Sequence, residues 1–273
     1  MKTERVSIGL MLGVAALALG AFTLSASAGD RLDAIKEAGV LRVAGVVYEP
    51  LMIRKADGSF QGIDVDILTK FADELGVKVQ VVDAGWDTAV AGVTTGKWDV
   101  VPAICITDKR KEVVDFTDPY IDLGGAFIVA ADNPKNLQTV DDVNQADVVF
   151  ADVAGGWGED FARKAAPEAQ HKLFPQATDA DIVQEILSGR ADVAVMNTPI
   201  TTGLIRKQFG ERIRFIPGWD QPLDIDSCPV GYALPKGDAE LKALFDAELG
   251  ALKEGGTFQA ILDQWVSSAP ANN

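Results

Sequence analysis

Short apolar runs alternate with amphipathic stretches along most of the chain after residue 30, and this alternation predicts strands and helices in turn. Residues 100–106 form an apolar run that is too short for a long helix and ends abruptly in charged residues, so we interpret it as a buried strand. Residues 62–76 instead place Ile63, Ile67 and Phe71 on one face of a helix that ends at Gly76. The two patterns together predict an α/β fold.

The α/β pattern occurs twice, first over residues 40–82 and again over residues 126–197. Between the two copies, the looser segment at 121–125 suits a chain that crosses between lobes and bends there. An acidic, proline-containing segment at 220–229 suits a second crossing. We therefore predict two α/β lobes joined by two hinge crossings, the first lobe being discontinuous, with boundaries at 29–122 and 223–273 for the first lobe and 123–222 for the second.

The first 28 residues are predicted to be a signal peptide. Lys2 and Arg5 precede an apolar run at 8–24, and the small residues that end at Ala28 suit a signal peptidase, so we expect cleavage after Ala28. The apolar run is also long enough for a marginal membrane span, and a retained anchor is the alternative. Cleavage would place the protein in a bacterial periplasm, which is an oxidising compartment.

The chain contains two cysteines, Cys105 and Cys228, and neither stands in a spacing typical of metal ligands. In an oxidising compartment they could form a disulfide, and the sequence leaves this open. No metal and no other cofactor is predicted. The single histidine, His171, lies in a polar stretch, and we predict it at the surface.

The formal net charge is −15, which argues against nucleic acid and anionic membranes as partners, because both need a basic face. With 48% hydrophobic and 24% charged residues, the chain can bury one large core or two smaller ones. These properties predict a soluble, acidic protein, which we expect to be a monomer.

The strongest candidate chemistry lies just beyond the strand at 100–106. Thr107 and Arg110 follow its carboxyl end, where ligands of open α/β sheets bind, and a guanidinium matches a carboxylate with two parallel hydrogen bonds. The alternative is that Arg110 pairs with Asp108 or Glu112 on a solvated helix start. In the second lobe, two glycines at 155–156 precede a helix and leave backbone N–H groups for an anion, although no phosphate-binding motif accompanies them.

The segment at 96–120 resembles the signature of family-three periplasmic solute-binding proteins, which serve polar amino-acid ABC importers. The signature G-K-x-D, I-T-x-x-R and V-x-F-[ST]-x-P-Y is matched by Gly96, Lys97, Asp99, Ile106, Thr107, Arg110, Val114, Phe116, Thr117, Pro119 and Tyr120. Further matches from residue 41 to Trp265 extend the resemblance over the mature chain. The resemblance implies a type II periplasmic-binding-protein fold that captures a small carboxylate between its lobes, delivers it to an inner-membrane permease and performs no chemistry.

The resemblance also implies which residues contact the ligand. Aromatic rings would flank it from two sides, a Thr and an Arg would hold its carboxylate, and backbone amides of the glycine turn would complete that site from the second lobe. Ala103 and Cys105 lie on the strand that leads to the Arg. The ten candidates are Tyr48, Trp86, Ala103, Cys105, Thr107, Arg110, Gly155, Gly156, Trp157 and Asn197.

Two positions that would hold the ligand's ammonium group depart from the family pattern. Family members that carry α-amino acids hold the ammonium group with an Asp and a hydroxyl, and here these positions are Asn197 and Cys105. An amide supplies no counter-charge and a thiol is a weak acceptor, so a standard zwitterion should bind poorly. We therefore expect a carboxylate whose amino group is missing, modified or differently placed. Asp152 is a candidate replacement acid, and the alternative is that it caps the turn at Gly155.

An enzymatic alternative comes from the periplasmic cyclohexadienyl dehydratases, which have the same fold. Their motif G-G-x-x-E-x-F is similar to the segment from Gly155 to Phe161, with Glu159 as its acid. Those enzymes use an acidic side chain at the start of the helix that follows the Asn197 position, and residues 198–201 supply none. Asp64 and Asp66 resemble a catalytic pair, but in this family they serve the fold. A binding protein is therefore predicted, and a sensor or adaptor without its own signalling domain ranks below transport.

Overall fold

The computed structural model describes residues 30–198, 200–217 and 223–267. The predicted signal peptide and part of the predicted second crossing lie outside these ranges. The helices are α1 Asp30–Ala38, α2 Ile63–Leu75, α3 Trp86–Thr94, α4 Asp108–Lys111, α5 Val140–Val143, α6 Trp157–Ala165, α7 Asp179–Leu187, α8 Ile200–Phe209, α9 Ala239–Glu254 and α10 Thr257–Ser267. The strands are β1 Val40–Gly45, β2 Ile53–Arg54, β3 Phe60–Gln61, β4 Lys78–Asp83, β5 Val101–Cys105, β6 Val114–Phe116, β7 Ile121–Ala130, β8 Val149–Val153, β9 Gln170–Phe174, β10 Val193–Thr198, β11 Ile213–Ile216 and β12 Leu223–Pro235. Within the described ranges, no helix has both the length and the apolar character that a membrane span requires.

The first lobe is built on parallel strands. β1 pairs with β4, and a bridge between Val43 and Val100 connects β1 to the segment that enters β5. The predicted helix at 62–76 is confirmed as α2, which buries Ile67 and Phe71 and ends at Gly76 in the left-handed conformation. Trp98, which the sequence assigns to packing, is fully buried, and its indole N–H donates to the Ala89 carbonyl.

The second lobe is a sheet in which β10 lies between β7 and β8, and β9 forms the edge beside β8. β8 pairs in parallel with β9 and β10, whereas β7 runs antiparallel to β10 and β11. Helices α6, α7 and α8 pack on the two faces of this sheet. The α/β repetition that the sequence predicts is therefore present in both halves of the chain.

The crossings between the lobes differ from the sequence prediction. The segment at 121–125 is not a loose connection, because β7 begins at Ile121 and runs without a break to Ala130. It pairs antiparallel with β12, the returning crossing strand, so that the two crossings are hydrogen-bonded to each other. Gly125 is small for packing rather than for bending, because a Cβ there would lie 2.9 Å from the Phe161 ring.

Strand β5 carries an irregularity where it reaches the cleft between the lobes. Its register with β12 shifts so that Pro102 and Ala103 lie opposite the single residue Tyr232, which is a β-bulge. Ala103 has a φ of 54°, in the left-handed region that side chains rarely adopt. Such conformations concentrate at functional sites, and this one bends the strand next to the cleft.

Cys105 and Cys228 form a disulfide, which resolves the alternative that the sequence left open. Their Cα atoms are 5.1 Å apart, a normal spacing for such a bond. The bond joins the end of β5 to β12, and both cysteines are buried.

A buried carboxylate holds the base of both crossing strands. Asp64, at the start of α2, is fully buried and accepts hydrogen bonds from the hydroxyls of Tyr120 (2.8 Å) and Tyr232 (3.0 Å). Tyr120 directly precedes β7 and Tyr232 lies in β12. Asp66, two residues further along α2, accepts a hydrogen bond from the Trp265 indole N–H at 2.7 Å. Both aspartates thus have structural contacts, in agreement with the role that the sequence predicts for them.

Asp64 makes the stability of the fold depend on pH. Burial raises the pKa of Asp64 from 3.8 to about 7, although both tyrosine hydrogen bonds oppose this shift. A carboxyl group with a raised folded-state pKa stabilises the fold below about pH 4, and that contribution is lost as the pH rises towards 7.

We expect Asp64→Asn to remove this loss, because the amide resembles the protonated acid. Urea unfolding at a series of pH values should show that the fall in unfolding free energy between pH 4 and pH 7 becomes smaller by about 1–3 kcal/mol. Asp66→Asn, which changes the neighbouring carboxylate, is the control and should leave the profile unchanged. Parallel profiles for wild type and Asp64→Asn would contradict this assignment.

Candidate ligand-binding cleft

A closed cleft lies between the two lobes. It contains a cavity of about 60 Å³, which is room for a few water molecules. Eight of the ten candidates line it, namely Tyr48, Trp86, Ala103, Cys105, Arg110, Gly156, Trp157 and Asn197. The other two, Thr107 and Gly155, lie beside the cleft and are not part of its wall. Lobe-two residues of β8, α6, α7 and β10 form the opposite side.

Arg110 spans the cleft. Its guanidinium donates to the Cys105 carbonyl at 2.9 Å in its own lobe and to the Gly155 carbonyl at 3.1 Å in the other lobe. Asp108 instead pairs with Lys111, and Arg110 forms no ion pair with any carboxylate that the structure describes. The alternative, a local ion pair of Arg110 with Asp108 or Glu112 on a solvated helix, is therefore absent from the described structure. Burial lowers the pKa of Arg110, and the nearby Asp160 opposes that shift.

Thr107 has a local role in the structure. Its side-chain oxygen accepts a hydrogen bond from the Arg110 backbone N–H at 3.3 Å and so caps α4. The cap sets the direction in which this short helix leaves β5, and with it the start of the Arg110 side chain. Thr107 thus positions Arg110 and does not itself face the cleft.

The glycine turn is occupied by internal hydrogen bonds. The Gly155 N–H donates to the Glu159 carboxylate at 3.0 Å, and the Gly156 N–H donates to the Val153 carbonyl at 3.0 Å. The two amides that were expected to meet an anion are therefore already satisfied in the closed form. Gly155 has a φ of 72°, and a Cβ there would lie 2.8 Å from the Asp87 backbone, so glycine permits the two lobes to approach this closely.

The aromatic residues contact each other directly. The rings of Tyr48 and Trp86 lie 6.2 Å apart at 73°, an edge-to-face arrangement that differs from the open slot expected between two facing rings. The Tyr48 hydroxyl also accepts a hydrogen bond from Thr201 of the second lobe at 3.3 Å. Trp86 opens α3, and its N-cap is Gly85 and not Asp87, which the sequence had suggested.

The two departures from the family pattern have distinct structural outcomes. Cys105 has no free thiol, because it is bonded to Cys228, and the disulfide itself forms part of the cleft wall. Asn197, near the end of β10, lines the cleft, and its side-chain nitrogen is buried without a hydrogen-bond partner. The cleft therefore offers an unused amide donor where the family pattern has a carboxylate.

Asp152 lies in the wall of the cleft and is only 3% exposed. Its partner is His171, whose ring is buried against Phe150 with centroids 5.3 Å apart. The prediction that His171 lies at the surface is therefore wrong. The polar sequence around His171 belongs to β9, and pairing with β8 turns this one side chain inward. The alternative role for Asp152, capping the Gly155 turn, belongs to Glu159 instead.

Asp179 is a cleft residue that sequence reasoning missed. It occupies the first position of α7 and lines the main cleft beside Tyr48 and Trp86. Burial raises the pKa of Asp179 to about 7, and the carboxylate of Glu49 across the lobes adds to this shift. A signal existed in the sequence, because Thr178 and Asp181 form a capping box and leave Asp179 without a helix-capping role. Among the described residues, no group of three or more His, Cys, Asp or Glu could hold a metal.

Comparisons with known proteins find one matching family, and the relatives include both binding proteins and an enzyme. The family model described as bacterial extracellular solute-binding proteins, family 3, matches residues 41–268. A cyclohexadienyl dehydratase of Pseudomonas aeruginosa is 29% identical over 259 residues, covering 94% of each chain, and an L-arginine-binding protein of the same organism is 26% identical, covering 81% of this chain and 85% of that one. The crystal structure of an ancestral amino-acid-binding protein, described as a precursor of cyclohexadienyl dehydratase, has 33% identity and a TM-score of 0.77, covering 86% and 99%. The predicted two-lobed α/β fold is thereby confirmed.

Proposed function

The chain belongs to family 3 of the bacterial extracellular solute-binding proteins, and from that premise we propose that it is the solute-binding component of an ABC importer. It captures a small carboxylate, either an amino acid or a derivative of one, between its lobes and delivers it to an inner-membrane permease. The lobes are residues 29–122 with 223–273, and residues 123–222. Export through a cleaved signal peptide brings the protein, as a monomer, to the periplasm.

One observation carries this proposal, namely the environment of Arg110. The Arg110 guanidinium is partly buried in a closed cleft, its described hydrogen-bond partners are carbonyl oxygens, and Asp160 acts on it without a direct bond, so it lacks a bonded counter-charge. Burial of an unpaired charge is unfavourable, whereas a carboxylate would supply both the charge and two well-oriented acceptors. An anionic group of the solute therefore suits this position better than the carbonyls do.

Closure follows from contacts that both lobes make with one solute. Arg110 and Trp86 belong to the first lobe, while Asn197 and Trp157 belong to the second. A solute that contacts both sets stabilises the closed form relative to the open form and shifts the population towards it. The permease then meets a closed, loaded protein.

Thermal-shift screening would test the proposal on a panel of the twenty amino acids with organic acids, betaines and opine-like compounds. We expect a rise in melting temperature for at least one small carboxylate, and native mass spectrometry of protein purified without denaturation should find such a molecule bound. A panel without any stabilising carboxylate, together with an empty native mass spectrum, would argue against a transport role.

Asn197 predicts which carboxylates bind. Because its amide supplies no counter-charge for an α-ammonium group, ordinary α-amino acids should bind more weakly than carboxylates whose amino group is absent, modified or displaced. Asn197→Asp should restore the missing charge and tighten α-amino acid binding by about tenfold or more in calorimetric titrations. Micromolar binding of an unmodified α-amino acid by the wild type, with no improvement in Asn197→Asp, would contradict this specificity.

An enzymatic function is the second candidate, and one feature of the cleft favours it. Asp179 lines the cleft with its pKa raised to about 7, so it can hold a proton near neutral pH, as a general acid must. One relative of this chain is named cyclohexadienyl dehydratase. Incubation of purified protein with prephenate and with arogenate separates the two candidates, since turnover that Asp179→Asn abolishes would establish the enzyme and its absence would leave the binding protein.

A further inference from the structure

The buried pair of Asp152 and His171 lies directly behind the cleft and has no part in the closure just described. Asp152 is on β8 and His171 on the neighbouring strand β9, with His171 Nδ1 and Asp152 Oδ2 3.7 Å apart. Both side chains are at most 5% exposed, and neither of these two atoms has a hydrogen-bond partner. The proposed binding of a carboxylate by Arg110 and the cleft aromatics assigns no role to this pair, although Asp152 lies in the cleft wall.

The surroundings of the two side chains indicate where the protons of the pair lie. His171 Nε2 lies 3.2 Å from the Ala166 carbonyl oxygen, which can only accept, so Nε2 carries a proton. Nδ1 then faces Asp152 Oδ2. If no second proton were present, an ionised carboxylate would be buried beside a neutral ring with no counter-charge, which is unfavourable. An empty pair therefore retains one further proton, which Asp152 holds because burial raises its pKa, and the pair is neutral as a whole.

The other charged groups around the pair leave this conclusion unchanged. Glu159 and Arg163 of α6 act on Asp152 with opposite signs, and they bond to each other at 3.0 Å. Their effects on the Asp152 charge therefore largely offset. Burial is the main cause that raises the pKa of Asp152, and the contact with His171 opposes it. From β10, the facing polar group is the uncharged amide of Asn197.

The position of Asp152 relative to Asn197 defines a displaced subsite. β8 and β10 run parallel with Phe150 opposite Val193, so two residues further along, Asp152 is level with Val195. Asp152 and Asn197 therefore share one face of the sheet, with Asp152 deeper in the second lobe. A cation bound to Asp152 therefore lies deeper in the second lobe than one bound at position 197, where the family pattern places the α-ammonium group.

Building on the proposed function, we propose that Asp152 supplies the counter-charge for a displaced cationic group of the solute and releases its proton when that group binds, and that His171 is a positioning residue that packs behind the Asp152 carboxyl group. The exchange is balanced in charge. The solute brings one positive charge to the Asp152 carboxylate, the Asp152 proton leaves to water, and His171 keeps its Nε2 contact with the Ala166 carbonyl. Proton and solute cation thus compete for one carboxylate, which stays in the second lobe throughout.

Two sets of probes test this subsite by changing only the amino group on a fixed carbon skeleton. They are L-alanine, 3-aminopropanoate and propanoate, and L-lysine, 6-aminohexanoate and hexanoate. Calorimetric titration in two buffers with different ionisation enthalpies measures protons released on binding. We expect a probe with a displaced amine to bind with release of up to one proton, and its affinity to rise with pH by up to about tenfold per unit as long as the empty protein keeps Asp152 protonated. The amine-free acids should show neither effect.

Variants separate the two roles. Asp152→Asn should weaken displaced-amine probes by about tenfold or more and leave amine-free acids unaffected. Because the contact with His171 opposes the rise in the pKa of Asp152, His171→Gln should retain binding and shift the rise in affinity towards higher pH. Asp132→Asn, an exposed second-lobe aspartate, is the matched control for charge. Because the chain has one histidine, labelled imidazole gives a single NMR signal, which should change on binding of a displaced-amine probe in the wild type and not in Asp152→Asn.

Each outcome decides the proposal. Displaced-amine binding that is insensitive to Asp152→Asn overturns it even if that binding depends on pH, because Asp179 also lines the cleft and could supply both the charge and the proton. If Asp152→Asn fails to fold, a His171→Gln profile that matches the wild type overturns it instead. Binding of amine-free acids alone overturns the cation subsite and leaves the transport proposal intact. No binding by any probe or by any carboxylate of the wider panel overturns both.

Discussion

Arg110→Ala should weaken binding of the solute carboxylate by about 30-fold or more, and the variant should remain folded. A charge-assisted hydrogen-bond pair inside a closed cleft costs on the order of 2–5 kcal/mol to truncate, much of it from the partner charge that is left unpaired, and each 1.4 kcal/mol is about tenfold in affinity. The wild-type side chain bonds only backbone carbonyls in the described structure, so its loss removes no ion pair from the fold. Calorimetric titration with the stabilising carboxylate of the screen measures the effect.

Lys109→Ala is the matched control for this experiment. Lys109 is exposed and lies next to Arg110 on α4, so the variant removes one positive charge from the same helix without opening the cleft. Its affinity should stay within about twofold of the wild type. If Arg110→Ala kept full affinity and only its melting temperature fell, Arg110 would be a structural residue and the carboxylate would have to bind elsewhere.

Loss of the Cys105–Cys228 disulfide should lower the free energy of unfolding by about 4 kcal/mol. The bond closes a loop of 123 residues, and in the chain-entropy description a bond across so long a loop strongly restricts the unfolded chain. Guanidinium unfolding with and without reductant should show the loss as a lower midpoint. Both sulfurs line the cleft, so the reduced protein should also lose affinity for its solute.

A double variant controls for the chemistry of the reductant. Cys105→Ala with Cys228→Ala should unfold at the low midpoint whether or not reductant is present. If oxidised and reduced wild type unfolded at the same denaturant concentration, the cross-link would contribute no stability, and its role would be confined to the shape of the cleft wall.

Sequence reasoning located the cleft through local patterns. Arg110 follows a short apolar run that ends in charges, and Trp86 opens a helix after a glycine, so both positions follow from chain-local signals together with the family motif. The helix at 62–76 was equally accessible, because its apolar spacing and its terminal glycine are properties of a single segment. Such patterns predict whether a segment is a helix or a strand and which residues lie at its ends.

The wrong or open predictions mostly concern residues whose environment depends on partners distant in sequence. His171 is buried because β9 pairs with β8, and nothing in its own polar stretch reports that neighbour. The Gly124 and Gly125 pair resembles a flexible joint, but pairing with β10 and β12 holds it in a continuous strand. The disulfide joins positions 123 residues apart, and a sequence alone cannot show that their backbones approach. Asp179 was missed because a helix start already explains an aspartate there.

The pairing of the two crossing strands has a mechanical consequence. Two independent connections would let the lobes twist, slide and tilt separately, but β7 and β12 are joined by ladder hydrogen bonds and held at their base by one carboxylate. A two-stranded ribbon bends most readily across its flat face, because bending in its own plane would stretch one strand against the other. We therefore expect the opening angle to be the softest coordinate between the lobes. Anything that reads the shape of this protein from outside can distinguish full from empty by that one angle.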